Sequence, residues 1–145
     1  MNDRNEIGFK IKKVDNALLK KADADLNHME ITFAQHHVLI YLVHQENHTS
    51  TFKEVEKHFK VSQATTAGII KRLEEKKYIE CFTCANDKRI KLLKLTDAGL
   101  KVCEDSKKTI DEREAKMKSI FSKQELNDFE EYLDRLYDFL SKEEN

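Results

Sequence analysis

Two helix-starting signals stand close together at Thr51 and Ser62, and two short strand patterns follow within the next thirty-odd residues. No other stretch of the chain restricts the fold as tightly. Thr51 with Glu54 three residues later is a capping box, in which side chain and backbone reciprocally satisfy helix N–H groups that have no intrahelical partner. Val55, His58 and Phe59 then share one face of a short helix. Lys60-Val61 leaves room only for a tight turn before Ser62, which caps a second helix expected to run to about Lys77. Thr66, Ile69, Ile70 and Leu73 occupy one side of that helix, facing the first. Ser62, Gln63, Ala64, Thr65, Gly68, Lys71 and Arg72 remain at its start, flank and far side, a face that is small, polar and basic. Tyr78 to Cys84 and Arg89 to Leu95 read as strands, with the polar tip Ala85-Asn86-Asp87-Lys88 between them. Thr96 or Asp97 caps the helix that follows.

A helix pair of this length suits the major groove of DNA, where short polar side chains read base edges and cations meet phosphates. A hairpin directly after the second helix forms a wing, whose residues Asn86, Asp87, Lys88 and Arg89 reach phosphates or the minor groove alongside. Asp87 and Arg89 are two apart on a tight hairpin, so their side chains emerge together and can pair.

Several of these residues carry a family resemblance. Val61-Ser62-Gln63-Ala64-Thr65-Thr66, Arg72-Leu73-Glu74, Tyr78-Ile79, Asp87-Lys88-Arg89 and Leu95-Thr96-Asp97-Ala98-Gly99 resemble the winged-helix region of the MarR (multiple antibiotic resistance regulator) family. The most specific part is Asp-x-Arg followed six residues later by Leu-Thr-x-x-Gly. The helical lengths on both sides fit as well, so the resemblance spans nearly the whole chain. It departs at Lys77, where the family commonly has a glycine ending the recognition helix, and at Gly68, where a larger polar or basic residue is common. The first departure implies a different helix end or a residue in the left-handed region. The second removes one candidate base contact.

The flanks are helical. Ile7, Ile11, Val14, Leu18 and Ala22 recur at helical steps through one long helix that Asn27-His28-Met29-Glu30 breaks. Thr32 and Gln35 form a second capping box ahead of Val38, Leu39, Leu42 and Val43. Gln45 to Ser50 reads as a loop. After Gly99 a long charged helix carries sparse apolar residues, and Ser122 with Glu125 opens the last helix. There Leu126, Phe129, Leu133, Leu136 and Leu140 form a coiled-coil-like seam, widened by Tyr132, Tyr137 and Phe139. The expected fold is mainly α with a small β hairpin: a winged helix-turn-helix flanked by N- and C-terminal dimerisation helices. Residues 1–30 form the N-terminal dimerisation helix, 31–99 the DNA-binding region and 100–145 the C-terminal dimerisation helices, within one compact domain. The seam, together with Ile7, Ile11 and Val14, is expected to pack against a second copy, since palindrome-reading helix-turn-helix proteins are normally dimers. The resemblance implies the same interleaving.

Charge follows this division. Residues 1–50 hold 6 basic and 7 acidic side chains, residues 51–100 hold 11 and 7, and residues 101–145 hold 9 and 13. Only the winged third is positive, as counterion-displacing binding to nucleic acid requires. No apolar run approaches the roughly 18–20 residues that span a bilayer, and the N-terminus has no signal-peptide core, so a cytoplasmic location is expected. The chain has no phosphate-cradling glycine loop, no His-Glu-x-x-His and no nucleophile elbow. An enzyme is not expected, nor is a cofactor.

Cys81 and Cys84 have the spacing of redox and zinc motifs, but three residues apart on a strand they point to opposite faces. No second pair completes a four-cysteine zinc site. Cys103 falls mid-helix as a packing residue. His28, His36, His37 and His44 lie near the junction of the first two helices, while the long helix over 97–121 has no histidine; no metal site is expected. The expected function is a sequence-specific double-stranded DNA-binding regulator that represses from pseudo-palindromic operators and is released by a small molecule. The resemblance implies an aromatic or carboxylic effector, seated between the winged part and the dimerising helices, where this chain offers histidines and Tyr41. The alternatives are a redox- or metal-responsive regulator of the same fold, and a helical interaction module that does not bind DNA.

Overall fold

A computed structural model describes residues 5–143. In chain order the elements are α1 (Ile7–His28), α2 (Phe33–Val43), β1 (Thr49–Thr51), α3 (Phe52–Phe59), α4 (Gln63–Glu75), β2 (Ile79–Thr83), β3 (Lys91–Leu95), α5 (Asp97–Ser119) and α6 (Lys123–Glu143). The chain divides into two compact units, residues 1–106 and 107–145, with the boundary inside α5.

The first unit holds the core. Leu39, Leu42, Val55 and Leu73 are fully enclosed, and Ile79, Leu93 and Leu95 join them from the sheet. The hairpin is one part of a three-stranded antiparallel sheet in the order β1-β3-β2. Ser50 lies opposite Leu93 and Cys81 opposite Leu93 from the other side. The expected loop over Gln45 to Ser50 is therefore a 3₁₀ turn, Glu46–His48, running into a third strand. The two hairpin strands are shorter than the sequence pattern, because Ile90 N–H closes a turn on Asp87 O and the tip lengthens.

The capping signals form as their spacing requires. Thr32 with Gln35 and Thr51 with Glu54 make reciprocal capping boxes, and Ser122 with Glu125 does the same at α6. The backbone N–H and hydroxyl of Ser122 hold the Glu125 carboxyl below its ordinary range. Ser62 caps α4 by accepting the Thr65 N–H.

Helix ends are closed without glycine. Glu30, Lys60 and Lys77 each take positive φ, at 58°, 53° and 65°. Behind α4, Lys77 N–H reaches Glu74 O and Tyr78 N–H reaches Leu73 O, the paired pattern of a Schellman end. Of the two alternatives at Lys77, a different helix end or a left-handed residue, the left-handed residue is present, two residues after α4 ends rather than within a helix running to 77. Gly99 serves close packing instead: a Cβ there would lie 2.2 Å from Tyr78 O. Thr96 accepts the Gly99 N–H and donates to Lys77 O, so the start of α5 is stitched to the end of α4.

The second unit contains the end of α5 and all of α6. None of its described residues is buried. Phe129, Leu133, Tyr137, Phe139 and Leu140 of α6 are exposed, and Leu126 and Leu136 are half-buried. In α1, Ile7, Ile11 and Val14 are also exposed.

Candidate nucleic-acid interface

The recognition surface begins with the two faces of α4. Thr66, Ile70 and Leu73 are buried against the core, which fixes the side of the helix that turns outward. Gln63, Ala64, Thr65, Gly68, Lys71 and Arg72 are all exposed on that outward side. Ser62 and Thr65 are linked, with the Ser62 hydroxyl donating to Thr65 Oγ1 at 2.8 Å, so the first turn presents a pre-ordered polar edge. Gly68 has open space where a side chain would start. A mid-helix glycine costs about 1 kcal/mol relative to alanine, and no packing contact in this unit requires it.

The wing tip is organised by Asp87. Its carboxylate accepts the Arg89 backbone N–H at 3.0 Å, Arg89 Nε at 3.0 Å and Arg89 Nη2 at 3.1 Å. Hydrogen bonds from the Arg89 side chain, then its backbone, hold the Asp87 carboxyl below its ordinary range, and the carboxylate raises Arg89 in turn. Of the five N–H donors of a guanidinium, two are engaged here, so the fork is aimed while three donors stay free. Side-chain exposure of 91% for Arg89 shows that those donors face outward. Asn86 and Lys88 flank it, both exposed.

Between the start of α3, the start of α4 and the wing lies a cleft of about 720 Å³, lined in part by Lys53, Gln63, Arg89 and Lys91. Lys53 and Lys91 had no motif to mark them, and only their share in the local positive charge pointed this way. Glu56 also lines the cleft, and its Oε1 is enclosed without a hydrogen-bond partner.

Cys81 lines a second cleft with Lys71 and Lys91, and Cys84 lies in the hairpin, its N–H on Ile90 O. The backbone N–H of Cys81 donates to Glu74 Oε2 at 3.2 Å. Burial, with the Glu74 carboxylate adding to it, pushes the Cys81 thiol up to about 12. Burial also pushes the Cys103 thiol up to about 11. Thiols this weakly acidic hold little of the nucleophilic thiolate at neutral pH. All three cysteines are free.

The histidines separate as well. His36 is buried, and its Nε2 lies 2.9 Å from Ser106 Oγ. Because the Ser106 hydroxyl donates to Cys103 O, its oxygen accepts from the His36 Nε2–H. His37 meets the edge of the Phe33 ring. Among the described residues no group of three or more His, Cys, Asp or Glu side chains is placed to hold a metal ion. Among them, too, no helix is long and apolar enough to cross a membrane.

An outward polar helix face beside a braced basic hairpin defines a winged helix-turn-helix protein. The MarR family profile matches residues 30–90. The HTH-type transcriptional regulator BilQ of Clostridioides difficile (strain CD3) is 32% identical over 113 residues, covering 78% of this chain and 68% of BilQ. The structure of MepR, a transcription regulator of the Staphylococcus aureus multidrug efflux pump MepA, matches with a TM-score of 0.85 at 26% identity, covering 93% of this chain and 98% of that one. The S. aureus MepR–DNA complex matches with a TM-score of 0.71 at 26% identity over the same shares, 93% and 98%. The chain belongs to the MarR family of DNA-binding transcriptional regulators, which is not a family of enzymes.

Proposed function

We propose that this regulator acts in the cytoplasm as a homodimer on pseudo-palindromic operators, repressing until a small molecule releases it. Residues 1–30 and 100–145 supply the dimerising helices and residues 31–99 the reading head. The Asp87–Arg89 pair carries this reading, because a guanidinium braced by a carboxylate and still largely open to solvent is pre-organised for an external acceptor. Gln63, Ala64, Thr65, Gly68, Lys71 and Arg72 face the major groove, and Asn86, Lys88 and Arg89 face phosphate or the adjacent minor groove. That MepR has been crystallised with DNA supports the same use of the shared fold. An aromatic or carboxylic compound remains the proposed effector class.

Duplexes selected from a random pool by the wild-type chain provide the test. Arg89→Ala should weaken binding to the selected duplex by about 1–3 kcal/mol and leave thermal melting and sedimentation unchanged. Equal losses on selected and random duplexes with a shallower salt slope would assign Arg89 to phosphate. A larger loss on the selected duplex would assign it to the groove. Unchanged affinity for both would remove the wing from the interface.

A further inference from the structure

α4 is held along its length by apolar side chains, and near its end by the Cys81 N–H on Glu74 and the Thr96 hydroxyl on Lys77 O, which tie it to β2 and α5 but not to α1. The tie to α1 is made by a different residue. The ammonium of Lys76 donates to the backbone carbonyl of Glu30 and, at 3.1 Å, to Gln35 Oε1. Both acceptors belong to the corner between α1 and α2, and that corner is rigidly determined. Glu30 closes α1 in the left-handed region, with its N–H on Asn27 O and Ile31 N–H on Leu26 O. Gln35 is buried, and its Oε1 also accepts the Thr32 N–H that opens α2. A cation here lies favourably at the carbonyl ends of two helices, α1 and α4.

Neither acceptor is a carboxylate, and Lys76 itself is exposed. A polar surface link of this kind adds little to stability, because water serves the same groups almost as well. What it adds is direction: it ties the end of the recognition helix to the end of the N-terminal helix. We propose that Lys76 is a positioning residue that sets the span between the two recognition helices, and so decides which half-site spacing the regulator accepts. The inference rests on the dimeric DNA-binding reading above, in which α1 belongs to the dimer frame. Half-sites of a two-fold reader must match the separation of its two recognition helices. One base-pair step along a strand is about 3.4 Å; without the Lys76 link the end of α4 keeps its hydrogen bonds to β2 and to the start of α5, through Glu74 and Lys77 O, and loses its tie to α1.

The full-length chain tests this with three duplexes: one selected by the wild type, the same half-sites moved apart or together by one base pair, and a random sequence. Lys76→Met keeps the stem and removes the donors. It should weaken binding to the selected duplex by about tenfold, the scale of a hydrogen bond from a charged donor. It should also shrink the preference for the native spacing, while random-duplex affinity, salt slope and melting stay at wild-type values. Lys76→Arg should restore the preference. Gln35→Met leaves the Lys76 charge free and should narrow the preference in the same way. An equal loss on selected and random duplexes with a shallower salt slope would make Lys76 a phosphate contact and overturn the proposal. A wild-type spacing preference that Lys76→Met and Gln35→Met both leave intact would overturn the proposal alone. A wild type indifferent to spacing would overturn the dimeric reading, and the proposal with it.

Discussion

Residues 1–106 enclose a core of their own, whereas residues 107–142 include no fully buried residue and carry exposed Phe129, Leu133, Tyr137, Phe139 and Leu140. The two regions use similar apolar residues to different ends. In the winged unit Leu39, Leu42 and Leu73 interlock with strands and helices that contact one another across the sequence. In α6 the same residue type repeats on one helix, and among the described residues none of its leucines is fully buried. Contiguous exposed apolar surface of this kind marks an interaction site. The difference is that one unit encloses its apolar side chains, while the other leaves them open to solvent.

The largest effect should come from breaking the second unit's seam. On the proposed dimeric reading, Leu133→Asp with Leu136→Asp, replacing two side chains worth about 1.5–3 kcal/mol each when buried, should give monomers in analytical ultracentrifugation where the wild type gives dimers. Leu39→Ala, by contrast, should lower stability by about 2–5 kcal/mol in denaturant unfolding and leave the assembled state alone. A well-folded double aspartate variant that still sediments as a dimer would erase the contrast.

A smaller change sharpens it from the side of the winged unit. Lys77 sits at φ 65°, two residues after α4 ends, a conformation that glycine adopts without the steric cost borne by an L side chain. Lys77→Gly should raise stability by about 0.5–1 kcal/mol, read as a higher melting temperature, with dimerisation unchanged.

The mildest effect concerns pH. Burial lowers the pKa of His36 from its ordinary 6.5, and the neighbouring His37 lowers it further. The unfolded chain therefore takes up this proton first, and stability falls as pH drops below the ordinary value. The melting temperature should decline between pH 7.5 and 5.5, and His36→Gln should flatten that decline. An identical slope in the variant would place the acid sensitivity elsewhere.

What the sequence made legible was local. Capping boxes at Thr32, Thr51 and Ser122 need only a three-residue spacing, and the Asp87–Arg89 pair only a tight hairpin. β1 escaped notice because three residues, Thr49–Thr51, make no recognisable run, and their partners are Leu92, Leu93 and Lys94 more than forty positions on. Lys76 and Lys77 read as helix in the sequence because no glycine marks the end of α4 at Glu75. Lys76 was invisible for the same reason as β1: nothing at position 76 points to Glu30 or Gln35. The outward face of α4 was readable, since its inward face is written in Thr66, Ile70 and Leu73.

The hydrogen bond from Cys81 N–H to Glu74 has a consequence outside DNA reading. β2 is a border of the sheet, and the backbone groups on its outer side are unpaired by β3. Such borders are templates onto which strands of other molecules can add. The Glu74 carboxylate fills a donor in the middle of that border and sets a negative charge beside it. An incoming strand would have to displace the carboxylate and strand its charge. The last turn of α4 thus covers the middle of this border with a charged side chain.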